Sequence, residues 1–238
     1  MKSVARVLAL FAVAFAAGCS SGPETSSKHV APTMKDGAKN VGILIFDGLF
    51  ITEFSAPFDT YKHAGDKMNV FTVAPAPGMI CTYEGVCIEP DFTIDNAPKI
   101  DVLVVPSGLE TYKKDFANEK WQAFVKDRSA RAEYVTSHCW GAFTLANCGL
   151  LDGKPCTTFA SSIDDLQKMF PKVQTQKDTR FVVCGNIITS NGGIAAYEAA
   201  LYVIEKCFGK ELADKVATGL VMCPQNRQCS QDPRAAAK

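Results

Sequence analysis

The chain has 238 residues, 47% of them hydrophobic, and its 25 basic side chains balance its 25 acidic ones. Without a net positive charge or a basic block it has no electrostatic footprint for nucleic acid, and no nucleic-acid partner is expected. That apolar content excludes a disordered chain and suffices for one domain with a buried core.

Lys2 and Arg6 precede an apolar run over residues 7–17. The run is too short to cross a bilayer and fits the apolar core of a secretory signal. It closes on Ala16-Ala-Gly-Cys19, small residues ahead of a cysteine, as in a bacterial lipobox. The expectation is a lipoprotein signal peptide over residues 1–18, with Cys19 acylated and holding the chain to the membrane through its lipid. Ser20 rather than Asp follows, which favours the bacterial outer membrane on its periplasmic face. The alternative is an ordinary signal peptide whose cleavage site happens to precede a cysteine. Residues 19–39, rich in Ser, Pro, Lys and Gly, read as a flexible tether. Residues 40–222 form the domain, and residues 223–238 a C-terminal tail.

Val41-Gly-Ile-Leu-Ile-Phe46 is a continuous apolar run, as in a strand buried on both faces of a parallel sheet. Asp47-Gly48 breaks it, and a helix is predicted over 52–64. Residues 69–74 read as the next strand and 80–90 as a small β-hairpin. Asp101-Val-Leu-Val-Val105 is a second buried strand, stopped by Pro106-Ser-Gly108. A helix is predicted over 121–131, a strand over 133–138, and a turn at Cys139-Trp-Gly141 into a helix through 146. Strands over 155–159 and 180–190 follow, the second broken at Gly185-Asn186, then helices over 194–206 and 210–220. The fold class is therefore α/β, a doubly wound, mostly parallel sheet with helices on both faces.

Ligands in such folds sit at the carboxyl ends of the strands, and Glu53, Gly108 and Cys139 all follow such ends. A cysteine between a buried strand and a helix is placed for nucleophilic work, because unpaired backbone N–H groups favour its anion. A pKa one or two units below the usual ~8.5 would leave it largely ionised at neutral pH. Gly141 is expected to ease the tight turn. The N–H groups of Trp140 and Gly108 are the candidate oxyanion hole, with Gly108 admitting a ligand close to its backbone. His138 precedes the cysteine, so strand alternation aims it away from the sulfur.

Several segments together resemble the ThiJ/PfpI superfamily. They are Phe46-Asp-Gly-Leu-Phe-Ile-Thr-Glu53, Asp101-Val-Leu-Val-Val-Pro-Ser-Gly108, Val135-Thr-Ser-His-Cys139-Trp-Gly-Ala-Phe143, Gly149-Leu-Leu-Asp-Gly-Lys154 and Ile188-Thr-Ser-Asn-Gly-Gly-Ile194. The likeness spans residues 40–220 and is nearest the branch that accompanies AraC-type regulators and contains the isonitrile hydratases. It implies a flavodoxin-like, class I glutamine amidotransferase-like fold, Cys139 as elbow nucleophile, and Glu53 as a protonated acid hydrogen-bonded to the sulfur. It also makes a homodimer the default expectation. Asp59 and Glu198 match recurrent acidic positions and are read as structural. Two departures matter. Many relatives place a histidine after the two threonines of the next strand, where this chain has Thr157-Thr-Phe159. Isonitrile hydratases place a threonine directly after the cysteine, where this chain has Trp140.

Ten cysteines suit an oxidising envelope. With Cys19 and Cys139 set aside, eight remain as disulfide candidates. Cys81 and Cys87 flank the hairpin tip, Cys223 and Cys229 a polar loop, while Cys148, Cys156, Cys184 and Cys207 allow three pairings. The alternative is that several are buried thiols. No Cys/His spacing suits zinc, so neither a metal nor another cofactor is expected. The function expected is cysteine chemistry on a small electrophilic substrate, by a hydrolase or hydro-lyase. A redox or electrophile sensor using Cys139, or a non-catalytic module for a small-molecule ligand, is the alternative.

Overall fold

The computed structural model describes residues 29–109 and 118–222. The predicted signal peptide, Cys19, Cys223 and Cys229 lie outside the described residues. In chain order the strands are β1 (Lys39–Leu44), β2 (Met68–Ala74), β3 (Ile80–Cys81), β4 (Cys87–Ile88), β5 (Phe92–Thr93), β6 (Val102–Val105), β7 (Tyr134–His138), β8 (Pro155–Cys156), β9 (Gln174–Thr175), β10 (Phe181–Cys184) and β11 (Ile187–Ser190). The helices are α1 (Ile51–Lys62), α2 (Glu119–Arg131), α3 (Gly141–Asn147), α4 (Ile163–Met169), α5 (Ile194–Phe208) and α6 (Lys210–Gly219).

Seven strands form the central sheet in the order β10-β11-β7-β6-β1-β2-β5. Only the β10–β11 pair is antiparallel. The apolar runs are continuous because both faces are covered. Leu44, Leu103, Val105 and Val135 pack toward Trp121 and Phe124 of α2 and Phe143 and Leu145 of α3. Val41, Ile43, Val102 and Val104 pack toward Tyr61 of α1 and Ala199, Val203 and Val216 of α5 and α6. Each such buried aliphatic side chain contributes about 1.5–3 kcal/mol by leaving water.

The structure departs from the sequence reading in places. The strand predicted over 155–159 is only two residues long, and β8 pairs with β9 outside the main sheet. Two buried threonines divert it: the Thr157 N–H donates to Thr189 Oγ1 and Thr158 Oγ1 donates to the Cys139 carbonyl. Helix α4 and strand β5 were not predicted. Residues at the end of the expected tether are attached to the domain, since the Lys35 N–H donates to Asn69 Oδ1 and Met34 packs on the core.

Cys81 and Cys87 form a disulfide across the hairpin. Cys148, Cys156, Cys184 and Cys207, expected among the disulfide candidates, are free thiols. Cys148 and Cys156 pack on the α2–α3 side of the sheet and Cys207 on the other, so the sheet separates Cys207 from both.

Candidate active site

Cys139 stands between β7 and α3 with a positive φ of 52°. A left-handed non-glycine residue costs of order 1–3 kcal/mol and persists only where its surroundings hold it. Here the Cys139 N–H donates to the Ser190 carbonyl at 3.0 Å, and its carbonyl accepts from Thr158 Oγ1 at 2.7 Å. The elbow is thus strapped from β11 and from the segment after β8. The strain falls on the cysteine and not on Gly141, which corrects the expected role of that glycine. Gly141 is needed for close approach: a Cβ there would lie 2.2 Å from the Val105 carbonyl oxygen.

Glu53, in the first turn of α1, is buried. Its Oε1 accepts the Gly193 N–H at 2.9 Å, and its Oε2 is buried with no hydrogen-bond partner among the described residues. Gly192, at φ +87°, lies against both side chains. A Cβ on it would sit 2.6 Å from Cys139 Cβ and 2.6 and 2.7 Å from the two Glu53 oxygens. Cysteine and carboxyl group therefore meet over one glycine, and no side chain other than hydrogen fits between them. Gly192 and Gly193 were missed as site residues. The signal was the Asn191-Gly192-Gly193 run, read only as the opening of a helix.

Burial pushes the Glu53 carboxyl up to about 7, opposed by the Gly193 N–H. Burial likewise pushes the Cys139 thiol up, with the Glu53 charge adding to it, to about 12. The Ser107 hydroxyl and the Trp140 N–H pull in the opposite direction. These directions run against the thiolate expected from the sequence, because burial and a charged carboxylate both disfavour a second negative charge. Glu53 Oε2 has no hydrogen-bond partner among the described residues, so the expected bond between the acid and the sulfur is not formed at that oxygen.

His138 is fully buried, its Nδ1 2.8 Å from Ser190 Oγ and its Nε2 3.5 Å from Thr136 Oγ1. Burial pushes its pKa down to about 3, so the ring is neutral and serves as a brace rather than a base. Ser190 Oγ also accepts the Gly192 N–H at 3.3 Å. The histidine thus supports, from behind, the loop that holds Glu53.

Gly108 packs closely against the loop between β1 and α1. A Cβ there would collide with the Gly48 carbonyl oxygen at 2.6 Å and Leu49 Cα at 2.7 Å. Its bare α-carbon admits the β1–α1 loop. Trp140 directs its backbone N–H at the sulfur, and its indole Nε1 donates to Ser162 Oγ at 2.8 Å. Phe159 meets the Trp140 ring edge-on. Glu198 pairs with Arg180 at 2.7 Å and Asp59 with His63 at 3.2 Å, both remote from Cys139 in role. Among the described residues no group of three or more metal-ligating side chains comes together.

Residues 39–206 match the family model described as the DJ-1/PfpI family. An isonitrile hydratase from Pseudomonas putida is 29% identical over 187 residues, which cover 79% of this chain and 80% of that protein. The protein dj-1beta of Drosophila melanogaster is 28% identical over 187 residues, 78% of this chain and 98% of the relative. The HTH-type transcriptional regulator GbdR of Pseudomonas aeruginosa is 23% identical, and this chain spans about half of its length, 51%. Among solved structures, Drosophila DJ-1beta superposes with a TM-score of 0.71 at 26% identity, covering 79% of this chain and all of that one. A ThiJ/PfpI family protein from Pseudomonas syringae gives a TM-score of 0.72 at 23% identity, covering 88% and 90%.

Proposed function

The chain belongs to the DJ-1/PfpI family, and from that premise we propose that it is a cysteine-dependent enzyme adding water to a small electrophile: a nitrile-like, amide or carbonyl compound. One observation carries the reading. Cys139 Cβ and both Glu53 oxygens lie within 2.7 Å of the same point above Gly192. Glu53 Oε2, otherwise without a partner, is the atom through which a proton moves to and from the sulfur.

The steps can be written for a carbon–nitrogen triple bond. Cys139 S–H adds across it: Sγ bonds to carbon, and the proton passes through Glu53 Oε2 to nitrogen. The Trp140 N–H, directed at the sulfur, steadies the charge that develops, with the Gly108 N–H proposed as a second donor. Water attacks the same carbon, yields its protons to nitrogen and to the departing sulfur, and leaves an amide and the free thiol. The resemblance to an isonitrile hydratase supports hydration of a carbon–nitrogen multiple bond.

A panel of small nitriles, amides and aldehydes tests the reading. Cys139→Ser should remove turnover. Glu53→Gln should lower it by about 10²–10⁴-fold, while iodoacetamide labelling of Cys139 at pH 8 speeds up because the neighbouring charge is gone. Turnover that survives in Cys139→Ser sinks the proposal.

We also propose that Cys19 carries the chain on the envelope membrane, facing the periplasm. The Cys81–Cys87 disulfide supports an oxidising compartment, and no helix among the described residues is long and apolar enough to cross a membrane. Cys19→Ala should release the protein from the membrane fraction and remove the acyl mass. The homodimer is likewise a proposal, checked by sedimentation equilibrium.

A further inference from the structure

At the carboxyl edge of the sheet, aromatic rings from four separate segments form one row. Tyr83 of the hairpin meets Phe50 edge-on at 5.6 Å between centroids. Phe50 lies 6.0 Å from Trp140, and Trp140 lies 6.4 Å from Phe159 at an interplanar angle of 88°. One member of the row, Trp140, directly follows Cys139 in the chain. A core cluster would bury its rings, yet the two ends of this row stand 61% (Tyr83) and 44% (Phe159) in solvent. The centre is fixed in orientation by the Trp140–Ser162 hydrogen bond. A cavity of about 430 Å³ borders Trp140, with Phe143 and Met169 also on its wall.

The charges nearby decide the ligand's polarity. In the larger cavity beside Gly192, of about 570 Å³, Lys177 and Arg180 are already paired with Asp164 and Glu198. Lys168, on the wall of the cavity beside Trp140, shares that wall with Asp165. Neither cavity offers net positive charge to an anionic substrate.

We propose that the row of Tyr83, Phe50, Trp140 and Phe159 is a binding subsite for the flat ring of an uncharged aromatic compound, whose electrophilic carbon then lies over Cys139. This inference rests on the enzyme reading for the carbon that reacts, but not for the ring that binds. Stacking on such a wall favours a phenyl over a methyl group by about 10- to 100-fold.

The test uses matched pairs, benzyl against methyl, of one nitrile, one amide and one aldehyde. The benzyl member should have the higher kcat/KM, and Phe159→Ala or Tyr83→Ala should erase about tenfold of that preference. Both altered side chains are exposed, and circular dichroism confirms folding. In parallel, Cys139→Ser is titrated with benzamide and with acetamide. The protein's two tryptophans report binding by fluorescence, with Trp121 buried in the core and Trp140 in the row. Turnover with equal kcat/KM for both members of each pair overturns the subsite and leaves the enzyme reading standing. Quenching by benzamide alone, without turnover of any pair, upholds the subsite and overturns the enzyme reading. Quenching by neither amide overturns the subsite.

Discussion

A methyl group at position 192 would fill the space in which Cys139 and Glu53 meet, and position 192 has a φ that disfavours any side chain. Gly192→Ala should therefore force the thiol and the acid apart and lower kcat/KM by about 10²-fold, the cost of a displacement near 1 Å. Far-UV circular dichroism should stay native, and loss of fold in place of activity would contradict the argument. His138 acts one step further back, through Ser190 to the Gly192 N–H. His138→Ala should cost about 1–3 kcal/mol by leaving buried partners unpaired. It should also shift the pH profile of Cys139 alkylation, with His138→Gln restoring part of both. An alkylation profile identical to the wild type would reduce His138 to mere packing. The position of the elbow cysteine was legible in the sequence, because a strand running into a Cys-Trp-Gly turn is a local pattern. Its protonation was not, because burial and the Glu53 carboxylate come from segments distant in sequence.

The hairpin shows how one element can set another. Its Glu84 carboxylate accepts the Ile51 N–H at 2.9 Å, supplying a cap that Phe50, at the N-cap of α1, does not provide. The Tyr83 N–H donates to the Leu49 carbonyl and the Gly48 N–H to the Cys81 carbonyl. The disulfide closes this loop, and α1 carries Glu53 in its first turn. Replacing Cys81 and Cys87 by serine should lower stability by about 2 kcal/mol, as expected for so short a closed loop. Amide exchange should accelerate at Ile51 and Tyr83 above all. Uniform exchange across the domain would mean that the hairpin does not brace α1. At this scale the long elements read cleanly from periodicity, whereas β8 did not. Thr157 and Thr158 have strand propensity, but their hydrogen bonds go to β11 and to the elbow, and a tertiary contact outweighs a local preference.

Over the whole molecule, the buried acid links folding to pH. The folded-state pKa of Glu53, about 7, lies above its ordinary value of 4.5, so the folded protein binds the proton more tightly. The resulting stabilisation is complete below pH ~4.5 and is lost as pH rises through about 7, a difference of roughly 3 kcal/mol. Urea midpoints should thus fall between pH 5 and pH 8 in the wild type, and the fall should shrink in Glu53→Gln. Equal slopes for the two proteins would exclude Glu53 as the source. The sequence by itself determined the sheet, since runs such as 41–46 and 101–105 can be apolar throughout only if helices cover both faces, and it determined where the chain turns sharply at Cys139. Tertiary structure alone decided that Gly192 makes room for both Cys139 and Glu53, and that burial pushes the pKa of each upward. Periodicity reports which face of an element is buried, whereas a pKa depends on what that burial brings within reach.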